Sequence, residues 1–483
     1  MRLASAALGL TSIRRSNPGW VNRNRAPSAG IDVAHTRGIL TLVGEVALKI
    51  VAHSRFVVAL LLSLVPSLAS AEGDRGPTAT SEPSRLQALA SGAEARGLEP
   101  SAVYDGEALV NARGGVSRGA TYLGALRVQL LFDAERGLGW QGTSFFASVL
   151  QTHGGNPSDL VGDAQGTSNL AAPPGAQLYE AWLQQNLVAN RFSVLAGRYD
   201  LASEFYRLQS AGLFVNSSFG IGPELGQSGQ RGPSIYPDTS LGVRLSLKPA
   251  RGVVLRVALL DGVPVGRSRG EPSLFSRSDG LLLVAEQAFL YRPGDVPRSA
   301  SPRLRIGRNS GLRPYRHKFA VGGWCYTARF DDLSQRLPDG RVARHVGSSG
   351  AYLIGDALLR GGSAVQSGQV NAFVQVGLGD WRVNRFGFYA GAGLVVSGLI
   401  PKLANDELGL AVAVARNGSH YLDLQRQNAV PVSDSEAAIE LTYLLQLGQH
   451  VALQPDLQYV FSPGSDPTLG NALAVALRFE LHS

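Results

Sequence analysis

Two alternating segments meet at one short turn in residues 439–461, which read IELTYLLQLGQHVALQPDLQYVF. Apolar side chains occupy every second position on both sides of the turn: Ile439, Leu441, Tyr443 and Leu445 before it, and Val451, Leu453, Leu457 and Tyr459 after it. Polar side chains such as Glu440, Thr442 and Gln458 stand between them. A period of two is that of a β-strand, whereas a helix repeats every 3.6 residues. The stretch therefore predicts an antiparallel hairpin.

The same alternation recurs from residue 102 to the end of the chain and predicts sixteen strands. They are about ten residues long, whereas strands of globular proteins usually have five or six. The predicted bounds are 102–112, 121–133, 140–152, 176–187, 190–199, 240–248, 251–260, 281–291, 316–330, 350–359, 369–378, 386–397, 407–416, 435–447, 449–460 and 471–481. An even number allows a single-chain barrel to close with both chain ends on the periplasmic side.

Two all-β folds produce such alternation. A soluble sandwich turns its apolar residues inward, whereas a membrane barrel turns them toward lipid and its polar residues toward a lumen. Strands of roughly 9–11 residues suit a bilayer, and aromatic residues near strand ends suit its interfaces. Such aromatics are Tyr122, Phe132, Tyr199, Trp324, Phe330, Trp381, Phe386, Tyr421, Tyr459 and Phe461. We therefore predict a transmembrane antiparallel β-barrel of about 16 strands, wide enough for an aqueous channel.

An export signal precedes the predicted barrel. Arg55 is followed by the apolar stretch 56–68 and by Ala69-Ser70-Ala71, which is the pattern of a cleaved secretory signal peptide. We predict a signal peptide over 55–71 with cleavage near Ala71, which leads to the outer membrane of a Gram-negative bacterium.

The signal peptide divides the rest of the chain. A signal normally lies at the start of a chain, so residues 1–54 are interpreted as a mis-assigned upstream extension. Residues 72–100 are predicted to form a periplasmic leader with a short helix over 84–96, and residues 101–483 the barrel.

Composition excludes several classes of function. The single cysteine, Cys325, rules out an intrachain disulfide and a multi-cysteine metal centre. The eight histidines lack metal-ligand spacing, and no nucleotide-binding or hydrolase motif occurs, so no cofactor is expected. Of the net charge of +8, residues 1–71 contribute eight basic and two acidic side chains, which leaves +2 for the remainder. The predicted barrel therefore lacks the basic excess of a nucleic-acid-binding protein.

Ordered sequence blocks in the first half of the barrel carry a family resemblance. They are Gly139–Asn156, Val161–Asn169, Leu178–Asn186, Gly197–Phe205, Ala211–Glu224 and Gln227–Pro237, with Asp261–Pro264 and Leu453–Gly464 continuing the pattern. Over residues 97–482 the chain resembles the carbohydrate-selective outer-membrane porins of the OprB type. Outer-membrane barrels usually end in an aromatic residue, whereas this chain ends in Phe479-Glu-Leu-His-Ser483. This departure concerns the assembly of the barrel and not the chemistry of its pore.

The resemblance implies a channel for facilitated diffusion of glucose and other small saccharides. The expected partners are these sugars, outer-membrane lipid and the barrel-assembly machinery. The oligomeric state stays open between a monomer and a homotrimer. Two other functions stay open: a general or anion-preferring diffusion porin, and a barrel enzyme with serine and histidine on its wall. The favoured prediction is a channel that catalyses no reaction.

Candidate sugar-binding residues follow from the chemistry of neutral polyols. Arginine offers a rigid fork of donors, and carboxylates offer several acceptor positions. The residues that alternate into the predicted lumen are Arg127, Arg244, Arg256 and Arg478, with Glu180, Glu440, Asp456, Gln454 and Gln458. The long third external loop, Asp200–Thr239, is predicted to fold inward and narrow the channel. Arg198, Asp200, Glu204 and Glu224 stand at its entry or along it. The alternative is that these residues only brace the loop or the wall.

Overall fold

The computed structural model describes residues 92–265, 278–291, 315–361, 368–400, 406–448 and 450–482. The predicted upstream extension, the signal peptide and most of the leader lie outside the described residues. Of the predicted helix 84–96, residues 92–96 are described; residues 92–95 are helical and Arg96 is in a turn.

Sixteen strands account for most of the described chain. Their bounds are β1 Leu98–Gly115, β2 Gly119–Asp133, β3 Thr143–Gly154, β4 Gly175–Leu187, β5 Phe192–Tyr199, β6 Ser240–Leu247, β7 Val253–Asp261, β8 Leu281–Tyr291, β9 His317–Arg336, β10 Val342–Arg360, β11 Gln369–Gly379, β12 Phe386–Ser397, β13 Glu407–Asn417, β14 Ser435–Gln446, β15 Val451–Phe461 and β16 Gly470–His482. Four short α-helices lie between them: α1 Ala134–Leu138, α2 Ser158–Val161, α3 Pro223–Gly226 and α4 Ser419–Gln427. In the part of the chain that the structure describes, no helix has the length and apolar character needed to span a membrane.

The strands form one closed barrel in which each strand pairs with its neighbours in sequence. The circle closes between β1 and β16, which are antiparallel and run from the pair Val103 and His482 to the pair Gly115 and Gly470. Closure pairs every strand edge, which an open sheet cannot do. The predicted antiparallel barrel of sixteen strands is confirmed.

The β9–β10 hairpin is longer than predicted. The predicted bounds 316–330 and 350–359 stop where apolar residues cease to alternate, but pairing continues as far as Arg336 and Val342. Polar pairs such as Arg344 opposite Asp331 occupy this extension. Both faces of such an extension can meet water, so the sequence carries no period-two signal there.

Exposure shows which side of the wall is apolar. Leu441 and Leu457 lie opposite each other and are 43% and 40% exposed. Their neighbours Thr442 and Gln458 face the interior and are buried, at 1% and 0%. An apolar band of this kind around a whole barrel is unfavourable in water and suits contact with lipid acyl chains.

The predicted aromatic girdle is partly wrong. Tyr122, Trp381 and Phe461 are exposed, as expected of interfacial residues. In contrast, four of the proposed girdle residues are buried inside the barrel: Tyr199, Trp324, Phe330 and Phe386. Closeness to a strand end does not decide which face a side chain takes; its position in the alternation does.

Replacing Leu441 with arginine should destabilise the barrel, because a guanidinium would meet acyl chains near the middle of a strand. We expect Leu441→Arg to lower the free energy of unfolding in lipid vesicles by about 2–4 kcal/mol. The matched control is Leu337→Arg, since Leu337 is also 43% exposed but lies in the loop that ends the β9–β10 hairpin. The control should change stability by about 0.5 kcal/mol or less. Equal losses in the two variants would contradict the inside-out orientation.

Candidate functional site: the loop-filled lumen

The loop Asp200–Thr239 is folded into the barrel, as predicted. Its side chains Leu201, Phe205 and Phe214 are buried in one cluster with wall residues such as Trp182 and Phe373. The contact is close: a Cβ placed on Gly377 of the wall would clash with the side chain of Glu224 in the loop. The lumen is therefore largely filled by packed protein.

Polar residues on one side of the wall hold the loop by its backbone. Glu440 accepts hydrogen bonds from the backbone N–H groups of Val215 (2.6 Å) and Asn216 (2.9 Å). Gln454 donates to the carbonyl oxygen of Leu213 at 2.7 Å. Gln458 accepts from the side chain of Asn216 and is held beside Asp456, to which it donates at 2.9 Å. These predicted lumen residues thus anchor the loop.

Strands β8 to β10 hold the same loop through residues that the sequence analysis did not identify. Asp356 accepts from the backbone N–H groups of Gln209 (3.1 Å) and Ser210 (3.0 Å). Glu286 accepts from the backbone N–H of Tyr206, and Lys318 donates to the carbonyl oxygen of Arg207 at 2.7 Å. All three wall residues lie in predicted strands at positions that alternate inward, so the period of two could have identified them.

A second inward loop, residues 155–174, was not predicted. It is joined to the first by backbone hydrogen bonds, from Ser217 to Gly166 and from Asn169 to Val215, both 2.8 Å. Glu436 in β14 accepts from the backbone N–H groups of Ala164 and Gln165. No local signal marks this loop, because its partners are far away in the sequence.

Arg478 belongs to this scaffold. It is buried, and its Nε and Nη2 atoms donate to the Oε2 atom of Glu107 at 2.8 and 2.5 Å. Its Nη1 atom donates to Asn169 in the second loop at 2.9 Å. The guanidinium of Arg478 is therefore engaged in hydrogen bonds within the protein.

The side chains of Arg127, Glu204 and Arg256 keep a substantial exposed fraction, at 34%, 26% and 19%. Glu204 lies between two arginines, 2.6 Å from the Nε atom of Arg244 and 3.7 Å from that of Arg256. Arg256 also stands 3.6 Å from Glu286. Opposite charges thus alternate along this side of the wall.

Arg127 stands on another part of the wall, with its Nη2 atom 2.8 Å from Asp105. The carboxylates Glu180 and Asp200 form a connected group, since the backbone N–H of Asp200 donates to Glu180 at 3.1 Å. The hydroxyl of Tyr179 donates to Asp200 at 2.6 Å.

Burial raises the pKa of Asp200, and the cations Arg207 and Arg127 oppose part of that rise. Burial also raises the pKa of Glu204, but Arg244 and Arg256 outweigh it, so that pKa lies below its ordinary value.

Arg198 occupies a different environment. It lies opposite Leu241 in the β5–β6 ladder, on the other strand face from Tyr199. Its Nε atom donates to the hydroxyl of Thr239 (2.8 Å) and its Nη2 atom to the carbonyl oxygen of Val265 (2.9 Å). These contacts tie the start of the long loop to its end, and a contact of Arg198 with sugar stays a prediction.

The described residues of the interior offer hydrogen-bonding and charged groups, some of which are partly exposed. Among residues 92–482, where described, no group of three or more histidine, cysteine or acidic residues could hold a metal ion. This chemistry suits the binding and passage of polar solutes.

Comparison with known proteins agrees with this geometry. A family model described as "Carbohydrate-selective porin, OprB family" matches residues 117–482. Porin B of Pseudomonas aeruginosa is 23% identical over 408 residues, which cover 78% of this chain and 86% of that protein. The high-pH structure of Pseudomonas putida OprB has a TM-score of 0.70 at 20% identity and covers 81% of this chain and 96% of that one. The low-pH structure gives 0.51 at 14%, with 83% and 97% covered.

A closed barrel with an apolar exterior and a polar, loop-narrowed interior defines an outer-membrane channel of the porin class. The chain belongs to the OprB family of carbohydrate-selective porins, since the family model matches most of its length. Membership of this family places the protein in the outer membrane and identifies small sugars as what passes through it.

Removing the carboxylate of Glu440 should release the long loop, because two buried backbone N–H groups would lose their acceptor. Each unsatisfied group costs about 1–3 kcal/mol. We expect Glu440→Ala to raise single-channel conductance and protease cleavage within residues 200–239, while the barrel stays folded. Glu440→Gln keeps one acceptor oxygen and should show smaller effects. A conductance unchanged in Glu440→Ala would contradict the anchoring role.

Glu224 should make loop docking depend on pH. Burial raises the pKa of Glu224 to about 7, from an ordinary value of 4.5. The folded loop therefore binds the proton more tightly than a released loop does, so docking is favoured most below about pH 4.5 and weakens as the pH rises to about 7. Glu224→Gln keeps an acceptor for the hydroxyl of Tyr206 and removes this dependence.

The measurement is protease cleavage of the loop at pH 5 and pH 8. The difference between the two values should be smaller in Glu224→Gln than in the unaltered protein. Asp423→Asn, in the exposed part of α4, is the control and should leave the difference unchanged. An undiminished difference in Glu224→Gln would assign the pH dependence to other groups.

Proposed function

We propose that the protein admits glucose and other small neutral saccharides by facilitated diffusion through a constriction bordered by Arg127, Glu204 and Arg256. The observation that carries this proposal is the alternation of charge along a row formed by the wall and the inward loop, Arg244–Glu204–Arg256–Glu286–Lys318, in which neighbouring opposite charges lie within 4 Å of each other. With three cations and two carboxylates, the row keeps a net charge of +1, so most of its charge is compensated and it attracts ions less strongly than a row of one sign would. It still presents donors and acceptors to a neutral polyol.

The strength of such contacts suits transport. A hydrogen bond to a charged group is worth about 1.5–3 kcal/mol, so a few of them give affinities on the order of millimolar after the entropy of binding is subtracted. A solute held that weakly can leave as well as enter, which conduction requires.

The remaining candidate residues receive supporting roles in this proposal. Arg244, Asp200 and Glu180 orient the exposed charges. Five residues hold the loops that shape the opening: Arg198, Glu440, Asp456, Gln458 and Arg478.

We also propose the route by which the chain reaches the membrane. The signal peptide over 55–71 is cleaved near Ala71, and the barrel-assembly machinery inserts residues 101–483 among outer-membrane lipids. The oligomeric state, trimer or monomer, has no bearing on the sugar path proposed here, because that path lies within one barrel.

Replacing Arg127 with alanine should weaken the block of ion current by glucose about tenfold, which corresponds to the loss of about 1.4 kcal/mol of binding. The open pore should continue to conduct, because the hydrogen bond of Arg127 goes to Asp105 in the neighbouring wall strand. The measurement is single-channel current with increasing glucose.

Arg344→Ala is the matched control for this experiment. Arg344 is also paired with an aspartate, Asp331 at 2.9 Å, but stands in the extension of the β9–β10 hairpin. The control should leave glucose block unchanged. Altered ion selectivity with unchanged glucose block in Arg127→Ala would instead support a general or anion-preferring porin.

A further inference from the structure

The outer surface of the barrel carries a groove that the sugar path does not use. The registers of β7 to β11 align one row of side chains on the lipid-facing side: Val253, Phe289, Phe319, Gly355 and Val374. Phe289, Phe319 and Val374 are exposed there, and the two phenylalanine rings stack with centroids 6.3 Å apart. The row therefore has large apolar side chains on either side of a glycine.

The glycine opens a depression in the wall. Ala357 and Ala372 lie opposite each other in the next row and continue the floor that Gly355 begins. Together with their neighbours they line a groove with a volume of about 600 Å³. This lies within the roughly 300–1,000 Å³ of typical ligand sites.

One end of the groove is polar and aromatic. Arg251, Tyr291 and His317 contribute to its lining, and all three are exposed. Tyr291 and His317 face each other in the β8–β9 ladder with ring centroids 5.6 Å apart. This is the end of the barrel at which the chain enters β1 and leaves β16, so these residues stand at the rim nearer the chain ends.

We propose that this groove binds one glycerophospholipid of the surrounding leaflet. One acyl chain lies over Gly355, Ala357 and Ala372. The side chains of Phe319 and Val374 flank it on either side. An anionic headgroup lies against the guanidinium of Arg251 and the imidazole of His317, with Tyr291 at the level of the membrane interface. The apolar floor and the basic rim match the two ends of such a lipid.

The chain offers a variant that fills the groove without disturbing the fold. A Cβ placed on Gly355 would meet nothing closer than the Cγ1 atom of Val374 at 3.4 Å, which is ordinary van der Waals contact. Gly355→Leu should therefore fold and conduct glucose normally. Ala108→Leu is the matched control, because Ala108 is exposed on the lipid face of β1 opposite Leu477.

The test uses the full barrel reconstituted with phosphatidylethanolamine and phosphatidylglycerol, extracted in mild detergent and weighed by native mass spectrometry. We expect the unaltered protein and Ala108→Leu to retain one lipid, with phosphatidylglycerol preferred. Gly355→Leu should lose at least nine-tenths of this retention, about a tenfold change. Arg251→Gln and His317→Gln should reduce the preference for phosphatidylglycerol while leaving a lipid bound.

Three results would overturn the proposal. Equal retention by Gly355→Leu and the unaltered protein would place the lipid elsewhere. Equal loss in Ala108→Leu would show a general lipid annulus instead of a site. A lipid-free dimer that Gly355→Leu abolishes would assign the groove to a second copy of the chain.

Discussion

Inside a bilayer no water can satisfy the peptide group, so every backbone N–H and C=O of a spanning segment must find a partner within the protein. Strands meet this demand only when their sheet closes, and here it closes through the pairing of β1 with β16. A closed ring of sixteen strands encloses a wide lumen. The selective part of this molecule therefore has to be built inside the ring by chain that is not part of the wall.

The same requirement governs the inserted loops. Their backbone N–H groups lie inside the barrel away from bulk water, and wall carboxylates supply the acceptors that secondary structure does not. Glu440, Asp356 and Glu436 each accept from two consecutive backbone N–H groups. A buried carboxylate with such partners is far less costly than an unpaired one. Most of the acidic residues of the lumen thus shape the opening, while a few exposed charges remain available to a solute.

The fold could be predicted because it depends on a local pattern. Alternation of apolar and polar residues determines both strand position and facing, and it located all sixteen strands to within a few residues except where the β9–β10 hairpin leaves the lipid. The same parity would have placed Glu286, Lys318 and Asp356 on the inner wall, and Arg198 and Tyr199 on opposite faces. The inward loop was predicted from its length, since alternation alone does not indicate it.

The roles of lumen residues could not be predicted in the same way. Whether Glu440 faces water or a peptide N–H depends on Val215, which is 225 residues away in the sequence. The bridging of Arg244 and Arg256 by Glu204 likewise depends on how the long loop folds. Such partners are set by tertiary structure, so a pattern within one strand contains no information about them.

The central claim is that a row of charges compensated except for one surplus cation favours neutral sugars, and influx into liposomes carrying the purified barrel tests it most directly. Glucose, gluconate and glucosamine have nearly the same size but differ in charge, so a comparison of their influx rates isolates the electrostatic contribution. The account predicts that glucose enters faster than either charged analogue, at low and at physiological salt. Influx of gluconate as fast as that of glucose, or faster, would contradict it.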